Sequence, residues 1–242
     1  LDTSTAMAFY ARVVRRVKDL MAAHGDFRKL YEIDLRLRPH GGSSSLAVSF
    51  AEFEKYLNDS AGFWERLAAT RSRVTCRSNN LSKSLTKLLH DFAFNDGPDA
   101  TATREMRLKI EREGKTSLLK RGAGGTLDVE FLIAHLQQKH VAVVPELCDP
   151  DLIRCLQILL DKSLITAEDF DTLSSGYAYL RQVVNRLQVL GGVSRHEIIG
   201  EDQVDVFARR LGYKGTGAGV EFRDELNWHR AEIRKVYDRL LQ

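Results

Sequence analysis

The sequence predicts a mainly α protein, a C-terminal helical bundle attached to the end of a small α/β sheet. Three observations lead there. Apolar residues recur at spacings of three and four over most of the chain after residue 50. One stretch, YEIDLRLRP at 31–39, instead alternates with a period of two, Tyr31, Ile33, Leu35 and Leu37 on one face and Glu32, Asp34, Arg36 and Arg38 on the other. A glycine and serine loop, HGGSSSLAVS, separates the two patterns. A chain of 242 residues, 43% hydrophobic, can bury one large core or two smaller ones. The change of pattern favours two domains, 1–75 and 76–242.

The elements follow in order. Phe9, Val13, Val17, Leu20 and Met21 predict an amphipathic helix over about Thr5 to Ala23, ended by Gly25 and Asp26. The strand around Asp34 comes next, stopped by Pro39, with a short second strand possible at Leu46 to Val48. Ser49 caps a helix from Phe50 to Asn58, and another runs from about Ala61 to Val74 with Trp64, Leu67 and Ala68 on its apolar side. Further helices are expected at Leu81 to Phe94 and Ala102 to Glu113, parted by the turn residues Asn95 to Pro98. After Gly125, LDVEFLIAHLQ reads as a buried helix with Thr126 as its cap. Asp149 and Pro150 open the next. Thr166 caps a long one whose seam is Leu173, Tyr177, Leu180, Val184 and Leu187. Phe222, Leu226, His229, Ile233, Val236 and Leu240 repeat that seam in the last helix.

Bulk properties exclude several classes. Thirty-six basic against 33 acidic residues give a net charge of +3, too little to argue for nucleic acid or a membrane surface. The cations Arg12, Arg15, Arg16 and Lys18 are not expected to alternate with exposed aromatics, which argues against nucleic acid again. No apolar run approaches a membrane span, and cytoplasm is the default expectation. Cys76, Cys148 and Cys155 are too far apart for a zinc pair and read as reduced thiols.

Two stretches can carry chemistry. In the first, Asp34, with Glu32 as a possible helper, is a carboxylate suited to Mg²⁺, and Arg36 and Arg38 suit phosphate oxygens. The same residues could simply pair with one another on a solvated face. In the second, KRGAGGTLDVEF at 120–131, Gly122, Gly124 and Gly125 allow close backbone approach, the helix start favours an anion, and Lys120 adds charge. Asp128 and Glu130, in the first turns of that helix, could equally satisfy its dipole themselves. Arg71 and Arg73 could extend a basic wall or be solvated. His135 and His140 are five apart, a poor spacing for two metal ligands on one helix.

Taken together, these stretches resemble the bacterial glutamine synthetase adenylyltransferase/adenylyl-removing enzymes. The family pattern is a strand like YEIDLRLRP with a glycine loop, a W-E-x-x-A helix ending in R-x-R, and a G-x-G-G-x-x-D-x-E-F turn. They are matched here by Tyr31 to Pro39, Trp64 to Arg73 and Gly122 to Phe131. MRLKI at 106–110, LRQVVNRLQ at 180–188 and FARRLGY at 207–213 add weaker matches. His40 and Ser44 depart from the family's R-P-S-G-x-x-G loop, and Val184 and Asn185 stand where the family often has an acidic residue and a histidine.

The resemblance implies that residues 1–75 are the C-terminal part of a nucleotidyltransferase-like domain and 76–242 a helical domain. It implies AMP transfer from ATP to a tyrosine of glutamine synthetase, or phosphate-driven removal. Mg²⁺ would be held partly by Asp34, Arg36 and Arg38 would stabilise phosphate charge, and the helical part would meet glutamine synthetase or the PII signal protein. The superfamily's G-S motif with two further carboxylates does not occur in this sequence, which implies a fragment inactive alone, the motif being expected upstream of Leu1. The closing helix tilts the expectation towards the adenylylating module. A non-catalytic helical interaction module is the alternative.

Overall fold

The computed structural model describes residues 2–22, 33–35, 37–75, 80–113, 118–191 and 203–241. They form eleven α-helices and two short 3₁₀ turns, and fall into two compact units, residues 1–69 with 74–92 and residues 70–73 with 93–242. The expectation of a mainly α chain holds. The expected sheet does not appear, because no strand occurs among the described residues. Residues 33–35 are irregular, 37 and 38 bend, and 46 and 47, expected to begin a second strand, bend as well. The physical reason is that a strand exists only by pairing, and an alternating sequence without a partner ladder has nowhere to place its backbone donors and acceptors. Tyr31, Glu32 and Arg36 lie outside the described residues, as do Gly25, Asp26 and Cys76.

In the first unit, α1 (Thr3–Ala22) forms where periodicity placed it, but its apolar stripe is not buried. Phe9, Val13, Val17 and Leu20 are 49%, 43%, 48% and 60% exposed, and Tyr10 is exposed beside them. Aromatic side chains therefore do stand in solvent near Arg12 and Arg15, contrary to the expectation. The helix α2 (Phe50–Asp59) starts from a reciprocal capping box: Ser49 Oγ accepts from the Glu52 amide at 3.2 Å and Glu52 Oε2 accepts from the Ser49 amide at 3.0 Å. The expected helix to Val74 is shorter, α3 (Phe63–Ala69), with Glu65 closing its start on the Gly62 amide at 2.7 Å. It ends where Thr70 and Arg71 turn, and Trp64 is 43% exposed rather than fully packed. Most of α4 (Asn80–Phe94) completes the unit.

The second unit is a dense helical bundle. It begins with α5 (Ala100–Glu113), where the Asp99 carboxylate accepts from the Ala102 amide at 2.8 Å, and the single turn α6 (Leu118–Arg121). The helix α7 (Thr126–His140) is buried nearly all round, as its sequence requires. Gly125 rather than Thr126 is its N-cap, and no side chain caps it. Asp151, not Asp149, caps α8 (Leu152–Asp161), accepting from the amides of Ile153 and Arg154. Thr166 and Asp169 bond reciprocally to open α9 (Ala167–Gly191). Two further helices, α10 (Val204–Leu211) and α11 (Ala218–Leu240), close the bundle.

The seams meet as the heptad-like spacing implies. Leu173, Leu180 and Ile233 are fully buried, each burial contributing about 1.5–3 kcal/mol. A Cβ at Gly176 would lie 2.9 Å from the Ile233 side chain, so this glycine sets how closely α9 and α11 approach. Among the described residues, no helix is long and apolar enough to cross a membrane.

Candidate functional site

In the first unit the acidic stretch leads into a tight loop. Asp34 is exposed on irregular backbone. Arg38 folds back on its own loop: Nη1 donates to the Leu35 carbonyl, and Nη2 to the carbonyls of Gly42 at 3.2 Å and Ser44 at 3.3 Å. A guanidinium presents several donors in one rigid fork, so a single side chain can pin three carbonyls. The pinned segment contains the turn Gly41–Ser43, which His40 enters at φ 58°, a left-handed conformation rare for a residue with a Cβ. The Ser43 hydroxyl donates to the His40 carbonyl at 2.7 Å and the Gly41 amide to the Arg38 carbonyl at 2.8 Å.

The glycine-rich stretch belongs wholly to the second unit, and there its backbone is covered by the protein itself. A Cβ on Gly124, which has φ +69°, would lie 1.9 Å from the Arg230 carbonyl oxygen, so α11 fills the space against the turn. A Cβ on Gly122 would meet the Leu118 carbonyl at 2.6 Å, and one on Gly125 the Lys120 carbonyl at 2.7 Å. Asp128 reaches back from α7 and accepts from the Gly124 amide at 2.7 Å, which explains why an acid stands three positions after the N-cap Gly125.

Asp128 is also the centre of a buried ion network. Its carboxylate accepts from Arg107 Nε of α5, both side chains being 0% exposed, and from Arg234 Nη1 of α11 at 3.4 Å. Arg107 Nη2 donates to the Gly122 carbonyl at 2.7 Å, and Arg230 Nη2 to the Ala123 carbonyl at 3.0 Å. Glu111 pairs with Arg234 at 3.1 Å. Burial pushes the Asp128 carboxyl above the usual carboxylate range, against the pull of Arg107, the Gly124 amide and Arg234. Burial likewise raises the Tyr237 phenol, whose ring lies 5.1 Å from the Arg234 guanidinium. Charges neutralised in this way lock α5, α7 and α11 to the glycine turn.

The structure also joins two candidates from separate stretches. Arg71 Nη1 pairs with Glu130 Oε2 at 2.9 Å, and the Tyr177 hydroxyl donates to the other Glu130 oxygen at 3.5 Å. Arg73 and Lys120 are exposed. Arg107, Arg230 and Arg234 were not singled out by sequence reasoning. Arg107 lay within the weak MRLKI match, but an arginine at the core of a helical pattern has no local signature of its distant acid.

Mg²⁺ requires an octahedron of oxygens, commonly one or two carboxylates with waters and substrate phosphates. Among the described residues no group of three or more histidines, cysteines, aspartates or glutamates could hold a metal ion. Asp34 is a single exposed carboxylate, and the described residues do not by themselves fit a two-ion cage.

Comparison with known proteins gives consecutive matches along the chain. Residues 2–88 match the family described as glutamate-ammonia ligase adenylyltransferase, and residues 101–241 match GlnD PII-uridylyltransferase. Similar curated proteins are named bifunctional glutamine synthetase adenylyltransferase/adenylyl-removing enzyme. That of Vibrio parahaemolyticus is 30% identical over 190 residues, covering 75% of this chain and 20% of its own length. That of Nitrosomonas europaea is 28% identical over 244 residues, covering 96% and 26%. That of Stenotrophomonas maltophilia is 31% identical over 217 residues, covering 86% and 23%. The chain thus spans about a fifth to a quarter of the length of these relatives.

Proposed function

We propose, since this chain belongs to the family described as GlnD PII-uridylyltransferase and is related to the bifunctional glutamine synthetase adenylyltransferase/adenylyl-removing enzymes, that it is part of a nucleotidyltransferase regulating nitrogen assimilation. The reaction is AMP transfer from ATP to a tyrosine of glutamine synthetase, or removal of that AMP by phosphate. Residues 1–75 act as the C-terminal part of the catalytic domain, and 76–242 as a helical domain that meets glutamine synthetase or the PII protein in the cytoplasm.

The observation that carries the reading is the match of residues 2–88 to an adenylyltransferase family, a span that contains the exposed Asp34 beside an arginine-pinned loop. Asp34 would supply one carboxylate to the metal, and Arg36 would stabilise phosphate charge. Arg38 fixes the loop as well as lending positive charge. Mg²⁺, when bound with ATP, would supply charge neutralisation at the phosphates. The test is labelled-ATP transfer to glutamine synthetase by the full-length protein. Asp34→Asn is expected to lower turnover about 100-fold or more while leaving the thermal midpoint unchanged. Undiminished turnover would sink the role given to Asp34.

The closed glycine turn favours a second reading for the helical unit, that of a protein-interaction module without chemistry of its own. On that reading, Asp34→Asn leaves binding of glutamine synthetase intact while transfer is lost.

A further inference from the structure

We propose that the cleft between α1, the 39–48 loop and the outer side of α2 receives the nucleoside end of a nucleotide, with His40 and Tyr56 as its aromatic wall. The inference rests on the nucleotidyltransferase reading and adds a location to it.

The cleft has a volume of about 450 Å³ and lies entirely within the first unit. That is within the usual range for small-molecule sites. Its walls are apolar at Met7, Pro39 and Val48. Two rings face it as a preset pair: His40 lies edge-on to Tyr56, centroids 4.9 Å apart at 72°. Tyr56 is held by its hydroxyl bond to Glu65 at 2.5 Å, and His40 by the left-handed turn that Arg38 pins from behind. A side-chain-bearing residue kept at φ 58° is a strained position sustained by its surroundings, and here the strain aims an imidazole at a cleft.

The chemistry selects an uncharged heteroaromatic group with hydroxyls. Base faces stack on aromatic rings without regard to sequence, and ribose hydroxyls suit a carboxylate such as Asp59 beside Ser60. Of the charged groups lining the cleft, the carboxylates Glu52 and Asp59 outnumber the single ammonium of Lys55, so the lining does not favour an anion and the phosphates belong outside the cleft. His40 follows Arg38 by two residues, at most about 7 Å between Cα atoms, so a nucleoside in the cleft leaves its phosphates near the acid–arginine stretch.

The test measures adenosine binding to this chain by saturation-transfer NMR and calorimetry, without metal. His40→Gly removes the imidazole while easing the turn, and Ser45→Trp, at an exposed lip, fills the cleft. Each is expected to weaken adenosine at least tenfold, whereas Asp34→Asn leaves it unchanged. Equal binding by the native chain and His40→Gly, or no binding of adenosine at millimolar concentration, overturns the proposal. The parent reading fails separately. If ATP with Mg²⁺ binds in an Asp34-dependent way that neither cleft variant alters, the cleft assignment is wrong and the nucleotidyltransferase reading stands. If adenosine depends on His40 while Asp34→Asn keeps full turnover, the cleft stands and the role of Asp34 falls.

Discussion

The acid–arginine stretch of the first unit and the glycine turn of the second begin from similar ingredients, carboxylates, arginines and glycines in short succession. In the second unit Asp128 and Arg107 are fully buried, bonded to each other and to the turn, and α11 occupies the space a ligand would need. In the first, Asp34 is exposed and, among the described residues, Arg38 bonds to carbonyls within six residues. The difference shows that residue type does not distinguish a binding motif from an architectural clasp. What separates them is burial: the charges of the glycine turn are sealed inside the bundle, whereas Asp34 stands exposed.

This comparison can be broken by mutation, in descending order of effect. Arg107→Ala strands a buried carboxylate and is expected to cost about 4–5 kcal/mol in urea unfolding followed by circular dichroism. A loss below about 1 kcal/mol would show that Asp128 is not held as a buried ion. Gly124→Ala forces a Cβ against the Arg230 backbone at a positive φ and should cost about 4 kcal/mol, whereas Gly42→Ala, with open space around it, should change little. The contrast between these two glycines is itself the measurement.

Next comes pH. His135, buried on α7 with no partner for either ring nitrogen among the described residues, is lowered to about 4, first by burial and then by Lys139 and His140. Asp99 opposes that shift and Arg104 adds to it. A histidine whose folded value is depressed gives full stability above its unfolded value near 6.5 and loses it as pH falls towards 4. The loss is about 1.4 kcal/mol per pH unit and roughly 3 kcal/mol in all. His135→Leu should flatten that slope, and an unaltered slope would assign the acid sensitivity elsewhere.

Smaller effects belong to the first unit. Ser49→Ala removes one side of the α2 capping box and should cost about 1 kcal/mol. Val17→Gln and Leu20→Gln, on the exposed face of α1, should each stay within about 0.5 kcal/mol. A larger loss there would mean that the face is covered in solution.

Much of the helical unit was legible because its stripes are local patterns. The seams of Leu173 to Leu187 and Phe222 to Leu240 are read directly from spacing, as is the buried character of α7. Caps were legible to within a residue or two: Ser49 and Thr166 were right, while Asp151 replaced Asp149 because its carboxylate reaches two helix amides. The candidate site was less legible. Alternation at 31–39 specified which side chains share a face but not that a ladder exists to hold them. The glycine turn was visible as a motif, but its partners Arg107, Arg230 and Arg234 lie 15 to 107 residues away from their bonded positions on it.

By itself the sequence determined most of the helices, the buried seams of the second unit and the two stretches able to carry charge chemistry, since periodicity, capping and residue type act over a few neighbouring positions. Tertiary structure alone decided that Asp128 is sealed inside a network, that α1 keeps its apolar side in solvent and that His40 and Tyr56 share a cleft. Those outcomes depend on which surfaces meet across long stretches of chain, and a charge loses its water only once they have met.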